Sequence, residues 1–212
     1  MTYNEFRNLR INFLEEHGRK DHVLLKGTSN ILISAPHTVS QVRLGKRKPA
    51  EIGTLSVALA LHKFSNTFMI AKTKNNYDDA NFDQVSSYKD SIDDLVMKHK
   101  IDYIIDLHGL AASRPMDINL GINLGHNVET NTKLFDTLKS MLKNDGFVVT
   151  VDQPFSGGSN TIAGSSKSKH QNLWTIQIEI NCAITNKREN FSKNKKLLNV
   201  LTNFIKLLEI QN

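Results

Sequence analysis

Asp102-Tyr103-Ile104-Ile105-Asp106-Leu107-His108-Gly109 is the stretch whose reading decides the fold. Its apolar run is short and rich in isoleucine, which reads as a buried strand. A histidine and a glycine, His108 and Gly109, follow at once. Upstream, residues 87–98 have helical spacing, with Ile92, Leu95 and Val96 turned inward. Before them come a strand over 67–71, a helix over 52–64, and a strand over 31–35 ended by Pro36. Residues 4–16 carry Phe6, Leu9 and Phe13 at helical spacing. Downstream the spacing predicts a strand over 118–124, a helix over 130–144, strands over 147–151 and 174–181, and a long helix over 190–208. Asn119 and Asn123 suggest that the strand over 118–124 ends near solvent. The segments 38–50 and 152–170 read as long polar loops. Strands separated by helices of ten or more residues need crossover connections, so the sheet is expected to be largely parallel. The expected fold is a three-layer α/β/α sandwich with a mostly parallel mixed sheet, built as one domain over residues 1–212.

Composition narrows the class. Of 212 residues, 39% are apolar and 23% charged, as in a folded soluble chain. No apolar run approaches the roughly 20 residues of a membrane span. The polar start, Met1 to Arg10, lacks the pattern of a signal peptide. A cytoplasmic protein is therefore expected. The single cysteine, Cys182, allows no intramolecular disulfide and no cysteine-based structural zinc site. It lies in an apolar run and reads as a small buried residue. The net charge of +6 admits a nucleic acid or an acidic small molecule as partner. The basic residues match no nucleic-acid motif and are interspersed with acidic ones, which weighs against nucleic acid.

In α/β sheets ligands sit beyond the carboxyl ends of the strands. Three such ends carry chemistry: Ala35-Pro36-His37, Leu107-His108-Gly109, and Gln177-Ile178-Glu179-Ile180-Asn181. Parallel strands point these ends to one edge, so two histidines and a glutamate can converge. Glu51 adds a carboxylate at the start of the next helix. Two histidines and one carboxylate form a common zinc set with an open fourth position. A second carboxylate must then move the proton, and Glu179 is the natural candidate. Asp106 shares a strand face with His108 and could hold it from behind. Each residue also has a plain structural reading. A histidine after a strand is often a loop residue, Glu51 suits a helix N-terminus, and Glu179 fits an exposed face of an edge strand.

The ordered segments Ser34-Ala35-Pro36-His37, Glu51-Ile52-Gly53-Thr54, Asn76-Tyr77-Asp78-Asp79-Ala80-Asn81, Tyr88-Lys89, Asp106-Leu107-His108-Gly109, Phe155-Ser156-Gly157-Gly158 and Gln177-Ile178-Glu179-Ile180 resemble the N-formylglutamate amidohydrolase family. That family is related in fold to the zinc carboxypeptidases. The resemblance spans about residues 31 to 182. It implies one zinc per chain on His37, Glu51 and His108, with Glu179 as general base. It also implies a linear amide as target, in a small acidic N-acyl amino acid or a γ-glutamyl compound. A zinc carboxypeptidase or a cell-wall or poly-γ-glutamate peptidase is the alternative. Such substrates are acidic, which draws attention to Arg43, Arg47 and Arg114, since a guanidinium pairs bidentately with a carboxylate. Asn81, Gly158 and His170 are further pocket candidates. The segment from His37 to Glu51 lacks the glycine-rich start associated with the formylglutamate enzymes.

Overall fold

The computed structural model describes residues 1–211. Its strands are β1 (His22–Leu25), β2 (Ile31–Ala35), β3 (Gln41–Arg43), β4 (Lys46–Lys48), β5 (Phe68–Lys72), β6 (Tyr103–Leu110), β7 (Ile118–Gly121), β8 (Val149–Val151) and β9 (Trp174–Asn181). Its α-helices are α1 (Tyr3–His17), α2 (Ile52–Ser65), α3 (Ser87–His99), α4 (Thr132–Asn144), α5 (Ile162–Lys169), α6 (Cys182–Asn186) and α7 (Phe191–Ile210). Seven strands form one sheet in the order β1-β5-β2-β6-β9-β7-β8, and β3 pairs with β4 in a separate hairpin. The four central strands β5, β2, β6 and β9 are parallel. Within the described seven-stranded sheet, antiparallel pairing enters where β1 meets β5 and where β7 meets β9.

Helices cover both faces of the sheet, as expected. Ile33 of β2, Ile105 of β6 and Ile178 of β9 share one core with residues of α1, α2, α4 and α7. Leu32, Ile70 and Ile104 share the other with Tyr88, Ile92 and Leu95 of α3 and Ile162 of α5. Burying one such aliphatic side chain contributes about 1.5–3 kcal/mol. Local signals fix the ends of these helices. Thr2 and Glu5 form a capping box on α1. Ser86 caps α3 through the Tyr88 amide. Asn66 and Lys100 end α2 and α3 in the left-handed conformation, with φ of 50° and 49°.

The α3–α5 face changes character along the strands. Leu32 gives way to Ser34, Ile104 to Asp106 and His108, and Thr175 to Gln177 and Glu179. Register sets these residues side by side, with Ser34 opposite Asp106, Asp106 opposite Gln177, and His108 opposite Glu179. A polar row therefore crosses three adjacent parallel strands near their carboxyl ends.

Several expectations need correction. Residues 152–170 are not all loop, because α5 occupies 162–169. The 38–50 segment holds the β3–β4 hairpin. Strand β7 ends at Gly121, short of the expected 124. Asn119 does not lie near solvent. It is fully buried, donating from Nδ2 to Phe155 O and accepting from Thr150 and Gln153 at Oδ1.

Candidate active site

His37 follows β2, His108 sits within β6, and Glu51 immediately precedes α2. The backbone N–H of Glu51 donates to His37 O at 2.8 Å, so the 38–50 segment leaves and returns to one point. Glu51 occupies the N-cap position without capping the helix through its side chain. Its carboxylate instead turns to the strand ends. Oε1 lies 2.8 Å from His37 Nδ1, and Oε2 accepts the Gly109 amide at 2.8 Å. His108 Nδ1 is 3.4 Å from Oε2 and 3.2 Å from His37 Nδ1. One donor atom from each of His37, Glu51 and His108 thus falls within 4.8 Å of the other two.

The opposite ring nitrogens are held by aspartates. His37 Nε2 is 2.8 Å from Asp79 Oδ1, and His108 Nε2 is 3.0 Å from Asp106 Oδ2. A neutral imidazole donating from Nε2 to an aspartate has its lone pair at Nδ1. Two such lone pairs facing each other at 3.2 Å beside a carboxylate repel unless a proton or a cation lies among them. The donor set of two imidazole nitrogens and a carboxylate suits zinc. The aspartates behind it are the partners that ligating histidines ordinarily have. These residues therefore fit a divalent metal.

The supports are themselves anchored. Ser34 Oγ donates to Asp106 Oδ1 at 2.8 Å. Asp79 Oδ2 accepts from Arg43 Nε at 2.8 Å. Tyr88 OH donates to Ile70 O at 2.9 Å and accepts the Ala35 amide at 3.1 Å. Electrostatics follow from this packing. Burial disfavours an imidazolium at His108, but Asp106 and Glu51 more than offset it and hold His108 well above the usual imidazole range. Burial opposes charge at His37 as well, and Glu51 and Asp79 raise it despite that. Burial pushes Glu51 upward, yet the two imidazoles bring it down to about 2. Glu179 differs, because burial raises it to about 7 with His108 only partly opposing.

His37, Glu51, His108 and Glu179 line a cavity of about 640 Å³. Glu179 lies on its wall, 5% exposed, on the central strand β9 rather than an edge. Of the expected substrate contacts, Arg43, Asn81 and Gly158 line the cavity, and Lys48 joins them. The Arg43 guanidinium carbon lies 4.9 Å from the Phe82 ring centroid. Its two Nη groups have no hydrogen-bond partner among the described residues. Asn81 Oδ1 is engaged by the Ile162 amide at 2.7 Å. Arg47 and Arg114 lie outside this cavity: Arg47 is exposed and reaches Ser40 Oγ at 3.4 Å, and Arg114 is exposed on the turn after β6. His170 is also outside it, 3.2 Å from Asp93. Cys182 is half-buried on the cavity wall rather than sealed in the core. Spacing gave no sign of Asp79 as the partner of His37, 42 residues away, nor of Gln177 on the wall.

A sequence model of the N-formylglutamate amidohydrolase family matches residues 86–185. Over these residues the chain resembles the N-formylglutamate amidohydrolases. The matched residues contain His108 and Glu179, whereas His37 and Glu51 precede them. Comparison with curated protein sequences gives no match. Among solved structures, the N-formylglutamate amidohydrolase of Ralstonia eutropha is similar with a TM-score of 0.64 at 12% identity, over 91% of this chain and 99% of that one. A bacteriophage poly-γ-glutamate hydrolase has a TM-score of 0.53 at 14% identity, over 95% of each chain. The succinylglutamate desuccinylase of Chromobacterium violaceum has a TM-score of 0.54 at 14% identity, over 87% of this chain and 67% of that one. At these identities the likeness concerns the fold. The matching family is one of amide hydrolases, and the fold is compatible with it. Among the described residues no helix is long and apolar enough to cross a membrane.

Proposed function

We propose that this chain is a zinc-dependent amidohydrolase that cleaves a linear amide in a small acidic N-acyl amino acid, N-formylglutamate-like, or in a γ-glutamyl compound. The observation that carries this reading is the convergence of His37 Nδ1, His108 Nδ1 and the Glu51 carboxylate, with an aspartate behind each imidazole. His37, Glu51 and His108 would hold one zinc per chain. When bound, zinc supplies a Lewis acid for the scissile carbonyl and the acidity that makes water a nucleophile near neutral pH. Asp79 and Asp106 fix the two imidazoles with Nδ1 turned inward. Glu179 takes the proton of the attacking water and delivers it to the leaving nitrogen. Burial raises its proton affinity above that of a free carboxylate, which suits a group that must both accept and donate. Arg43, with free Nη groups on the cavity wall, receives a substrate carboxylate, and Lys48 adds positive charge. Arg47 and Arg114 have no part in this arrangement. The family resemblance supports amide hydrolysis, and the cytoplasm remains the expected compartment.

A peptidase is the second reading. A cavity of about 640 Å³ lies in the range that takes ligands larger than an N-formyl amino acid. A profile of N-formyl-L-glutamate, γ-glutamyl oligomers and peptides with free or blocked α-carboxylates separates the two.

The test of the main reading is elemental analysis of the purified protein beside a His37→Ala, His108→Ala double variant. The expected result is about one zinc per chain, lost in the variant. A native protein that takes up no metal after incubation with zinc would remove the hydrolytic mechanism.

A further inference from the structure

Glu179 has one hydrogen-bond partner among the described residues. Gln177 Nε2 donates to its Oε1 at 2.8 Å, and Oε2 has none. The two side chains stand two positions apart on β9, so they share a face, and both line the cavity. Gln177 is 2% exposed and Glu179 5%. Register holds Gln177 between Asp106 on β6 and Gly121 on β7, while Glu179 lies between His108 and Asn119.

The polarity of the amide is set by its neighbour. Turned the other way, Gln177 would present its oxygen to a carboxylate oxygen, two acceptors with no hydrogen between them. Turned as it is, Gln177 Oε1 is left buried with no partner. An unpaired buried amide oxygen is costly to the fold. An apolar side chain of the same length at this position would avoid that cost and would leave Glu179 without an anchor. Among the described residues no lysine or arginine forms an ion pair with Glu179, so no cationic side chain fixes it.

We propose that Gln177 is a positioning residue for hydrolysis: its Nε2–H ties down Glu179 Oε1, so that Oε2 is the oxygen offered to the cavity. A glutamate side chain turns about three torsions, and a proton acceptor works only when one oxygen is aimed at the proton. A neutral donor orients the carboxylate without supplying the full positive charge that would make it a poorer base. This inference rests on the proposed role of Glu179 and goes beyond it in naming the group that aims it.

The test uses the zinc-loaded protein with N-formyl-L-glutamate as probe, and compares Gln177→Met, Gln177→Leu and Glu179→Gln. Neither methionine nor leucine can donate to Glu179, and both stay close to glutamine in size. In each, kcat is expected to fall about 10- to 100-fold, part of what a positioned base supplies, while KM and bound zinc stay at the native values and Tm does not fall. Should the methionine variant fail to fold, the leucine variant gives the same comparison. Undiminished kcat, or a loss of rate that merely follows loss of zinc or Tm, would overturn the proposal. A second measurement does not depend on turnover. The side-chain amide of Gln177, followed by ¹H–¹⁵N NMR, is expected to show one downfield-shifted proton that returns to the free-amide position in Glu179→Ala. A Gln177 signal indifferent to that change would also overturn it. The Glu179→Gln variant separates the two levels. Full activity there removes the base itself, whereas an inactive Glu179→Gln beside a fully active Gln177→Met removes only the positioning role.

Discussion

Gly109 is where an added methyl group would disturb the candidate metal site most selectively. A Cβ built at this glycine would lie 3.1 Å from Glu51 Cβ and 3.3 Å from Glu51 Cγ. Carbon atoms in comfortable contact stand about 3.5–4.0 Å apart, so one side must give by several tenths of an ångström. Gly109 lies on a central strand beside His108, paired with Ile180 of β9, and cannot easily retreat. Glu51 must therefore withdraw, although its carboxylate is the group that accepts the Gly109 amide and reaches His37. Metal–ligand distances tolerate only about ±0.2 Å. Disturbing a ligand's support ordinarily lowers metal affinity about 10- to 100-fold. Gly109→Ala is expected to weaken zinc by that factor, about 1.4–2.7 kcal/mol, with a much smaller change in the stability of the metal-free protein. Gly158→Ala is the control, since its Cβ would meet only Ser156 Oγ, at 3.5 Å. Zinc affinity is read by competition with a chromophoric chelator, and stability by thermal unfolding of the metal-free forms. A Gly109→Ala protein that binds zinc as tightly as Gly158→Ala would refute this account of Glu51.

Four other outcomes follow from the same geometry. Glu179→Gln should keep its zinc and lose about 10²- to 10⁴-fold in kcat; a steady-state assay beside metal analysis checks both halves. Asp79→Ala frees His37 Nε2 and leaves Arg43 without its partner, so zinc affinity should drop about 10- to 100-fold, and an unchanged chelator titration would contradict it. Tyr88→Phe removes the hydroxyl that serves Ile70 O and the Ala35 amide, and should cost about 1–3 kcal/mol in denaturant unfolding. The pH dependence has a definite sign. His37 and His108 are raised in the folded metal-free chain, so their ion pairs stabilise it below the ordinary imidazole range and stop doing so as pH rises through the raised values. Zinc needs both imidazoles neutral, so its affinity improves over the same rise. The Tm difference between zinc-loaded and metal-free protein should widen with increasing pH, and a constant difference would count against these two ligands.

The parts of the fold that could be read in the sequence are those where burial leaves a periodic mark. Both Ile31–Ala35 and Trp174–Asn181 are buried along their whole lengths; the first stands out as a largely apolar run and the second by an apolar residue at every second position. Strand β1 is half-buried and only four residues long, too short for a pattern. The β3–β4 hairpin turns at Leu44-Gly45, with φ of 50° and 73°, but each strand is only three residues long and β4 is basic and exposed, so the segment looks like loop. After Ile162 and Ala163, helix α5 is built of serine, lysine and glycine with no apolar stripe, and its seat is set by contacts such as Asn81 with the Ile162 amide. The same division holds at the site. His37, His108 and Glu179 were visible because strand direction alone brings their ends together, and Glu51 because it opens a helix. Asp79 was not, because its approach to His37 depends on the path of an irregular segment. Arg47 and Arg114 stood near the site in the chain only, since neither hairpin face nor turn direction is written in spacing.

The backbone bond from Glu51 N–H to His37 O closes the 38–50 segment at its base. What lies inside that closure contributes no donor to the metal cluster, yet it carries Arg43 and Lys48 to the cavity wall. The hairpin is thus a cassette on a fixed clasp, tied to the metal cluster by a thread, the Arg43 Nε bond to Asp79 behind His37. Exchanging Lys48 alters the charge of the cavity wall and leaves that thread intact, whereas exchanging Arg43 alters the wall and the support of His37 together.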